Sequence, residues 1–240
     1  LGSGAGYGSS FPLDRKRTTE LLHFGTLNWN SVYAQMSRGK SEKLVAMALA
    51  SIATTLARLS MDCCLYMNQD FAFISFPDEF TTGSSIMPHK KNPDVFELVR
   101  GKCNRIQATP HELSLLTTNL PSGYHREMQL TKEVLFPAIG DLKDCLSILQ
   151  VMFPAMSVRD NVLEADKYKY LFSVEAVNQL VNQGMPFREA YKEVGNRIAA
   201  GSFQFDASKG LHHTHEGSIG NLCTEEIRKE MGKVLQKFAN

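Results

Sequence analysis

Apolar residues recur at alternating spacings of four and three along two long stretches of this chain. The first stretch, residues 41–68, contains no glycine or proline. Its regularly spaced apolar positions are Val45, Leu49, Ile52, Leu56, Leu59, Cys63 and Tyr66. A repeat of 3.5 residues keeps such positions on one side of an α-helix. The pattern therefore predicts a long helix that packs in a bundle, with this seam in the core.

The second stretch, residues 127–156, has the same spacing. Its seam consists of Met128, Leu135, Ala138, Leu142, Cys145, Leu149, Met152 and Met156. Thr131 interrupts the seam, and Pro137 within it predicts a kink rather than the end of the helix. Between the two stretches we expect a third helix over residues 94–116, bent or broken at Pro110.

The pattern changes after residue 156. Residues 157–170 are mostly polar, and three shorter helices are predicted beyond them, over residues 171–182, 187–199 and 224–238. No stretch alternates apolar and polar residues for long enough to predict a strand. We therefore expect an all-α protein, with an elongated helix-bundle domain over residues 1–165 and a small helical domain over residues 166–240.

Composition narrows the class of protein. Of the 240 residues, 43% are hydrophobic and 21% are charged, as in a soluble chain with a real core. The net charge of +1 gives no basis for binding nucleic acid or an anionic membrane surface. No apolar run reaches the roughly 18 residues of a membrane span, so none is predicted. Five cysteines, mostly within apolar stretches, indicate free thiols in a reducing compartment, which favours the cytoplasm.

One loop between the predicted helices combines small residues with cations. It reads Gly-Ser-Ser-Ile-Met-Pro-His-Lys-Lys-Asn-Pro over residues 83–93. A phosphate-binding loop of the Walker type needs a second glycine at a fixed distance and a preceding strand. Gly83 has no such partner, and both flanks are predicted to be helical. Two interpretations stay open on the residues alone: an exposed turn, or a lid that closes on an anionic substrate.

Residues 83–93 closely resemble the signature of the fumarase/aspartase superfamily, written G-S-S-x-M-P-x-K-x-N-P, and match all its fixed positions. Lys90-Lys91-Asn92-Pro93 and the segment NLPSGYHREMQLTKE, residues 119–133, are similar to the argininosuccinate lyases in particular. The segments LGSGAGYGSSFPLDR, residues 1–15, and VNQGMPFREAYKEVG, residues 181–195, resemble the same family. The resemblance therefore spans nearly the whole chain and corresponds to roughly the C-terminal half of such an enzyme.

The resemblance implies a fold, a reaction and an assembly. The chain begins at Leu1 without a signal-peptide layout, so we expect the interior of a longer protein. Enzymes of this superfamily are helix-bundle homotetramers whose active sites are shared between subunits. The implied reaction is the elimination of argininosuccinate, a small molecule, to arginine and fumarate, with no metal or organic cofactor.

Three residues match catalytic positions of the family. Ser84 matches the base that removes a proton from the carbon next to a carboxylate. A serine hydroxyl can do this only where N–H groups and a cation stabilise its alkoxide on a closed loop. Lys90 matches the cation that faces the developing aci-carboxylate. Glu97 matches the residue that orients a histidine, which would come from a segment upstream of Leu1 in another subunit.

Five further residues match substrate-binding positions. They are Ser85, Asn92, Tyr124, Gln129 and Lys132. Asn92 would donate hydrogen bonds to a succinate carboxylate, whereas the last three would contact and select the arginine-bearing leaving group. Gln129 and Lys132 are expected to share one helix face. Many relatives have an acidic residue where this chain has Thr131, so that position is given no role.

Other functions stay open at this point. His212, His213 and His215 form a short tract, but no cysteine or carboxylate pattern completes a metal site, so no metal is predicted. Another fumarate-releasing lyase, such as adenylosuccinate lyase, would use a similar loop. Some relatives serve as eye-lens crystallins, so a structural protein with this fold, or an inactive fragment, is the alternative outside catalysis.

Overall fold

The computed structural model describes residue 4 and residues 7–87, 89–206, 211 and 213–238. Among these residues it contains eight α-helices: α1 (Arg15–Leu21), α2 (Ser31–Met36), α3 (Lys40–Tyr66), α4 (Asp94–Leu116), α5 (Thr131–Met152), α6 (Ser173–Asn182), α7 (Phe187–Ala199) and α8 (Thr224–Gln236). Two antiparallel pairs of two-residue strands were not predicted. They are β1 (Ile74–Ser75) with β4 (Ser157–Val158), and β2 (Thr82–Gly83) with β3 (Lys91–Asn92). The predicted all-α class is confirmed.

Helices α3, α4 and α5 form the bundle. At one end the packed residues are Ala46 of α3, Leu113 of α4 and Leu135 of α5. At the other end they are Cys63, Phe96 and Met152, in the same order of helices. The starts of α3 and α5 thus meet the end of α4, so α4 is antiparallel to both. The prediction that the two long seam-bearing helices are neighbours in one bundle is confirmed.

The buried face of α3 differs from the predicted seam. Its buried residues are Ala46, Ala53, Ala57, Ser60 and Cys63. Val45, Ile52 and Leu59 of the predicted seam are instead between 36% and 45% exposed. Small side chains let α4 pack closely against α3, because ridges and grooves of low relief allow a short distance between the helix axes. The prediction that the whole seam is core is therefore wrong for this helix.

In α5 the predicted seam is buried. Its buried residues are Thr131, Leu135, Ala138, Leu142, Cys145, Leu149 and Met152. Thr131 continues the seam instead of interrupting it, because its Oγ1 donates a hydrogen bond to the Met128 carbonyl at 2.8 Å. The hydroxyl is thereby paired although it is buried. Neither Pro110 in α4 nor Pro137 in α5 ends its helix.

All five cysteines are free thiols, as predicted. Cys63, Cys103 and Cys145 are buried in the core of the bundle. Burial disfavours the thiolate and raises the pKa of Cys63 to about 11 and that of Cys103 to about 12. These thiols are therefore part of the packed core rather than reactive groups.

The segment Ser31–Tyr66 is long and apolar enough to cross a membrane by length and composition alone. The core helix of a soluble protein passes the same test, so the absence of a membrane span stays a prediction. Within this segment, α3 supplies one face of the bundle core.

The chain divides into two compact units, Leu1–Arg159 and Asp160–Asn240, whereas the sequence placed the division near residue 165. In the second unit, α6 and α7 pack through Val177, Ala190 and Val194. Helix α8 contributes no buried residue. The predicted bounds of the third bundle helix and of α7 agree with the observed helices.

Candidate active site

The signature loop, residues 83–93, is a hairpin whose base is the β2–β3 pair. The side chain of Lys91 forms an ion pair with Asp78. Thr82 Oγ1 donates a hydrogen bond to a carboxylate oxygen of Asp94, the first residue of α4. These contacts hold both ends of the loop beside the N-terminus of α4.

Ser84 lies at the start of the loop tip, and two backbone N–H groups point at its hydroxyl. Its Oγ accepts hydrogen bonds from the N–H of Ile86 at 3.2 Å and of Met87 at 3.0 Å. Donors that converge on a hydroxyl oxygen stabilise its alkoxide, because negative charge strengthens both bonds. The same pair of bonds also stabilises a plain turn, so this geometry is compatible with both interpretations of the loop.

The signature loop is mostly exposed, which is compatible with both an exposed turn and an open lid. Ser84 and Asn92 are half-buried, whereas Ile86 is 86% exposed. A Cβ added to Gly83 would meet nothing within 4 Å. This conformation therefore does not itself require a glycine at that position. Only a closed conformation of the loop could require one. Pro88 lies outside the described residues.

Lys90 and Glu97 lie at the same end of the bundle as Ser84. Lys90 and Ser85 are exposed in the loop, and the Lys90 backbone N–H donates to the Met87 carbonyl at 3.0 Å. Glu97 is exposed on the first turn of α4. A carboxylate there also interacts favourably with the helix dipole, which is a sufficient structural reason for its presence.

Tyr124, Gln129 and Arg38 form a second group, which we call the tyrosine cluster. Tyr124 lies in the connection between α4 and α5, and Gln129 ends the 3-10 turn Arg126–Gln129. The Arg38 guanidinium lies over the Tyr124 ring, 5.4 Å from its centroid. Side-chain hydrogen bonds with Gln129 and then with Arg38, together with the positive charges of Arg38 and Arg126, lower the pKa of Tyr124.

No motif in the sequence identified Arg38 as a candidate site residue. It lies in the turn between α2 and α3, and its Nη2 donates a long hydrogen bond of 3.5 Å to the Met128 carbonyl. Beside it is an open pocket of about 370 Å3 that Tyr124 also lines. The contact joins segments far apart in sequence, so only the packing of the chain makes it visible.

Lys132 is exposed on the first turn of α5. Gln129 belongs to the preceding 3-10 turn, so the two side chains do not stand on one α-helix as expected. Both nevertheless lie at the end of the bundle that carries the tyrosine cluster, because α5 begins there.

The predicted site residues therefore fall into two groups at opposite ends of α4. The signature loop precedes its N-terminus, and the tyrosine cluster and Lys132 follow its C-terminus. At a rise of 1.5 Å from one residue to the next, the first and last of the 23 residues of α4 lie about 33 Å apart. A single small substrate cannot touch both groups across this distance. One chain does not bring the whole predicted site together.

His213 and His215 of the histidine tract contact other side chains. His213 Nε2 lies 3.0 Å from Glu175 Oε1, and its ring stacks on that of His215. His212 lies outside the described residues. Within the described part of the chain, no group of three or more His, Cys, Asp or Glu side chains is placed to hold a metal ion.

Sequence comparison relates this chain to lyases. The profile of a family described as lyase matches residues 1–108. The argininosuccinate lyase of Bacteroides fragilis is 56% identical over 238 residues, which are 99% of this chain and 53% of that relative. The argininosuccinate lyase of Parabacteroides distasonis is 57% identical over 239 residues, covering 100% of this chain and 53% of that relative. The chain thus spans about half the length of the curated relatives it matches.

Solved structures share the fold. EDDS lyase in complex with formate matches with a TM-score of 0.70 and 24% identity, over 84% of this chain and 41% of that chain. The fumarate lyase:delta crystallin from Brucella melitensis bound to cobalt matches with a TM-score of 0.66 and 18% identity, over 88% and 47% of the two chains. At these identities the likeness shows the fold alone, which is the helical fold of the fumarase/aspartase type.

Proposed function

This chain belongs to the same lyase family as the argininosuccinate lyases that it matches, and from that premise we propose that the whole protein converts argininosuccinate to arginine and fumarate. The observation that carries the proposal is the identity of 56% to such an enzyme across 99% of this chain. The two N–H donors on Ser84 Oγ support the chemistry, because an elimination needs a base held in a stabilising environment.

Ser84 is the base in the proposed reaction. Its Oγ, as the alkoxide, takes the proton from the carbon next to a carboxylate, and the electron pair moves into that carboxylate as an aci form. The pair then returns to form the double bond of fumarate as the C–N bond breaks. The electron pair of that bond stays on the guanidino nitrogen, which takes up a proton and leaves as part of arginine. Lys90 and Asn92 stabilise the doubly negative carboxylate. Glu97 orients the histidine that another subunit contributes.

The leaving-group half of the substrate meets the other end of the bundle. Tyr124, Gln129 and Lys132 bind the arginine-bearing part, and Ser85 binds substrate within the loop. Because about 33 Å separates the two groups in one chain, each active site combines the loop of one copy with the tyrosine cluster of another. We therefore propose a homotetramer with shared sites, active in the cytoplasm.

The test is fumarate release by the full-length protein, followed by ultraviolet absorbance. We expect turnover of argininosuccinate without added metal or organic cofactor, and no turnover of adenylosuccinate, malate or aspartate. Turnover of adenylosuccinate instead would identify a different lyase, and no turnover of any substrate would favour a structural protein. The 240-residue chain alone should be inactive, because it spans only about half the length of the argininosuccinate lyases that it matches.

A further inference from the structure

Gly39 determines where Arg38 lies. Gly39 is buried and has a φ of 89°, in the left-handed region that favours glycine. A Cβ at this position would lie 2.6 Å from Thr117 Cγ2, just after α4. The Gly39 N–H donates to Glu42 Oε2 at 2.8 Å, which satisfies a free donor at the start of α3. The backbone next to Arg38 is therefore fixed against both α3 and the end of α4.

From this position, Arg38 contacts both Tyr124 and the turn that carries Gln129. Its guanidinium covers the ring of Tyr124, and its Nη2 donates to the Met128 carbonyl in the turn that also carries Gln129. Tyr124 is 50% exposed, so packing alone leaves its ring free to change rotamer. A planar cation stacked on the ring and bonded to the adjacent turn restricts both elements together.

We propose that Arg38 is a positioning residue that holds Tyr124 and Gln129 in the orientation in which they meet the leaving-group half of the substrate. The identity of the substrate rests on the proposed function, whereas the effect of Arg38 on Tyr124 does not. The hydrogen bond with Gln129, followed by the hydrogen bond and positive charge of Arg38, lowers the pKa of Tyr124 and makes its hydroxyl a stronger hydrogen-bond donor. Arg38 acts through its neighbours and need not touch substrate.

The first test is an ultraviolet titration of tyrosine ionisation in the full-length protein. Subtracting the curve of Tyr124→Phe isolates the ionisation of Tyr124. In the wild-type protein its pKa should lie below the ordinary value of 10.0, and in Arg38→Gln it should move back toward 10.0. The matched control is Arg126→Gln, which removes the weakest of the influences that lower this pKa. It should cause a clearly smaller shift.

The second test is steady-state kinetics of argininosuccinate cleavage. Arg38→Gln should raise KM several-fold with a smaller change in kcat. The reason is that the substrate contact through Tyr124 loses its orientation, whereas the base Ser84 is unaffected. Arg38→Lys keeps the charge but loses the planar fork, so it should recover only part of the KM effect. Arg126→Gln should leave KM within about twofold of the wild-type value, since Arg126 is exposed and has the weakest influence on Tyr124.

Two sets of results would contradict the proposed role of Arg38. An unchanged Tyr124 pKa in Arg38→Gln, or an equal shift in Arg126→Gln, would overturn the action of Arg38 on Tyr124. A shifted pKa with an unchanged KM would overturn the positioning role. If Arg38→Gln fails to assemble, Arg38→Lys decides by the KM effect. If the wild-type protein cleaves no argininosuccinate, the proposed function fails, and the titration still decides whether Arg38 acts on Tyr124.

Discussion

Ser84 and Ser85 are adjacent serines in different surroundings. Ser84 is half-buried and its Oγ accepts two N–H groups, whereas Ser85 is exposed. In the full-length protein, Ser84→Ala should lower kcat by at least about 10²-fold and leave argininosuccinate binding nearly unchanged, because a base acts only in the transition state. Kinetics and calorimetric binding measure the two effects.

Ser85→Ala is the matched control for this experiment. Because Ser85 is proposed to bind substrate, its loss should raise KM and leave kcat within about tenfold of the wild-type value. The roles assigned to the two serines would have to be exchanged if Ser85→Ala removed turnover and Ser84→Ala did not.

Lys132 is proposed as a ground-state contact with the leaving-group half of the substrate. Lys132→Ala should therefore weaken binding by about 10- to 100-fold, the size of one charge-assisted hydrogen bond. Lys143 is another exposed lysine, further along α5, and serves as the control. Equal binding by wild type and Lys132→Ala, measured by calorimetry, would exclude the proposed contact.

At the scale of residues, the sequence predicts those parts of the site that short motifs define. The signature loop is recognisable because eleven consecutive residues specify it. Arg38 could not be predicted in this way, because its contact with Tyr124 joins segments that are distant in sequence. That contact exists only because α3 begins beside the end of α4, as the approach of Gly39 to Thr117 shows.

Among the elements, α5 and α3 show what periodicity can and cannot predict. In α5 the apolar seam is the buried face, and even Thr131 belongs to it. In α3 a stripe of alanines and a stripe of large apolar residues run side by side, and α4 covers the alanines. Spacing alone predicts that a helix packs, but it does not identify which of two apolar stripes a given partner covers.

The close packing of the start of α3 against the end of α4 can be tested at Gly39. Gly39→Ala should destabilise the full-length protein by about 2–4 kcal/mol, because it forces a left-handed alanine and a clash with Thr117. Thermal and urea unfolding measure this loss.

Gly195→Ala is the control for Gly39→Ala. Gly195 lies inside α7, where an added Cβ would meet nothing within 4 Å. This change should stabilise the protein by about 0.5–1 kcal/mol, since alanine is the better helix former. Equal effects of the two substitutions would contradict the close approach of α3 and α4 at Gly39.

At the scale of the whole molecule, the bundle leaves large apolar side chains uncovered. Leu44 of α3, Leu98 of α4 and Phe136 of α5 are each more than half exposed. Exposed apolar side chains of this kind are expected at an interface between subunits, and the proposed homotetramer would cover them. Sedimentation of the full-length protein should give a tetramer, and a strictly monomeric species would contradict this assembly.

In the proposed assembly, each active site combines the signature loop of one copy with the Tyr124 end of another. The most direct measurement mixes two full-length variants, Ser84→Ala and the double variant Gln129→Ala/Lys132→Ala, which are unfolded together, refolded and assayed for argininosuccinate cleavage. If sites are shared, random assembly of equal amounts should restore about a quarter of the wild-type activity, because that fraction of sites combines two intact groups. If both groups of a site came from one copy, no mixture would be more active than its separate variants, and the account would be wrong.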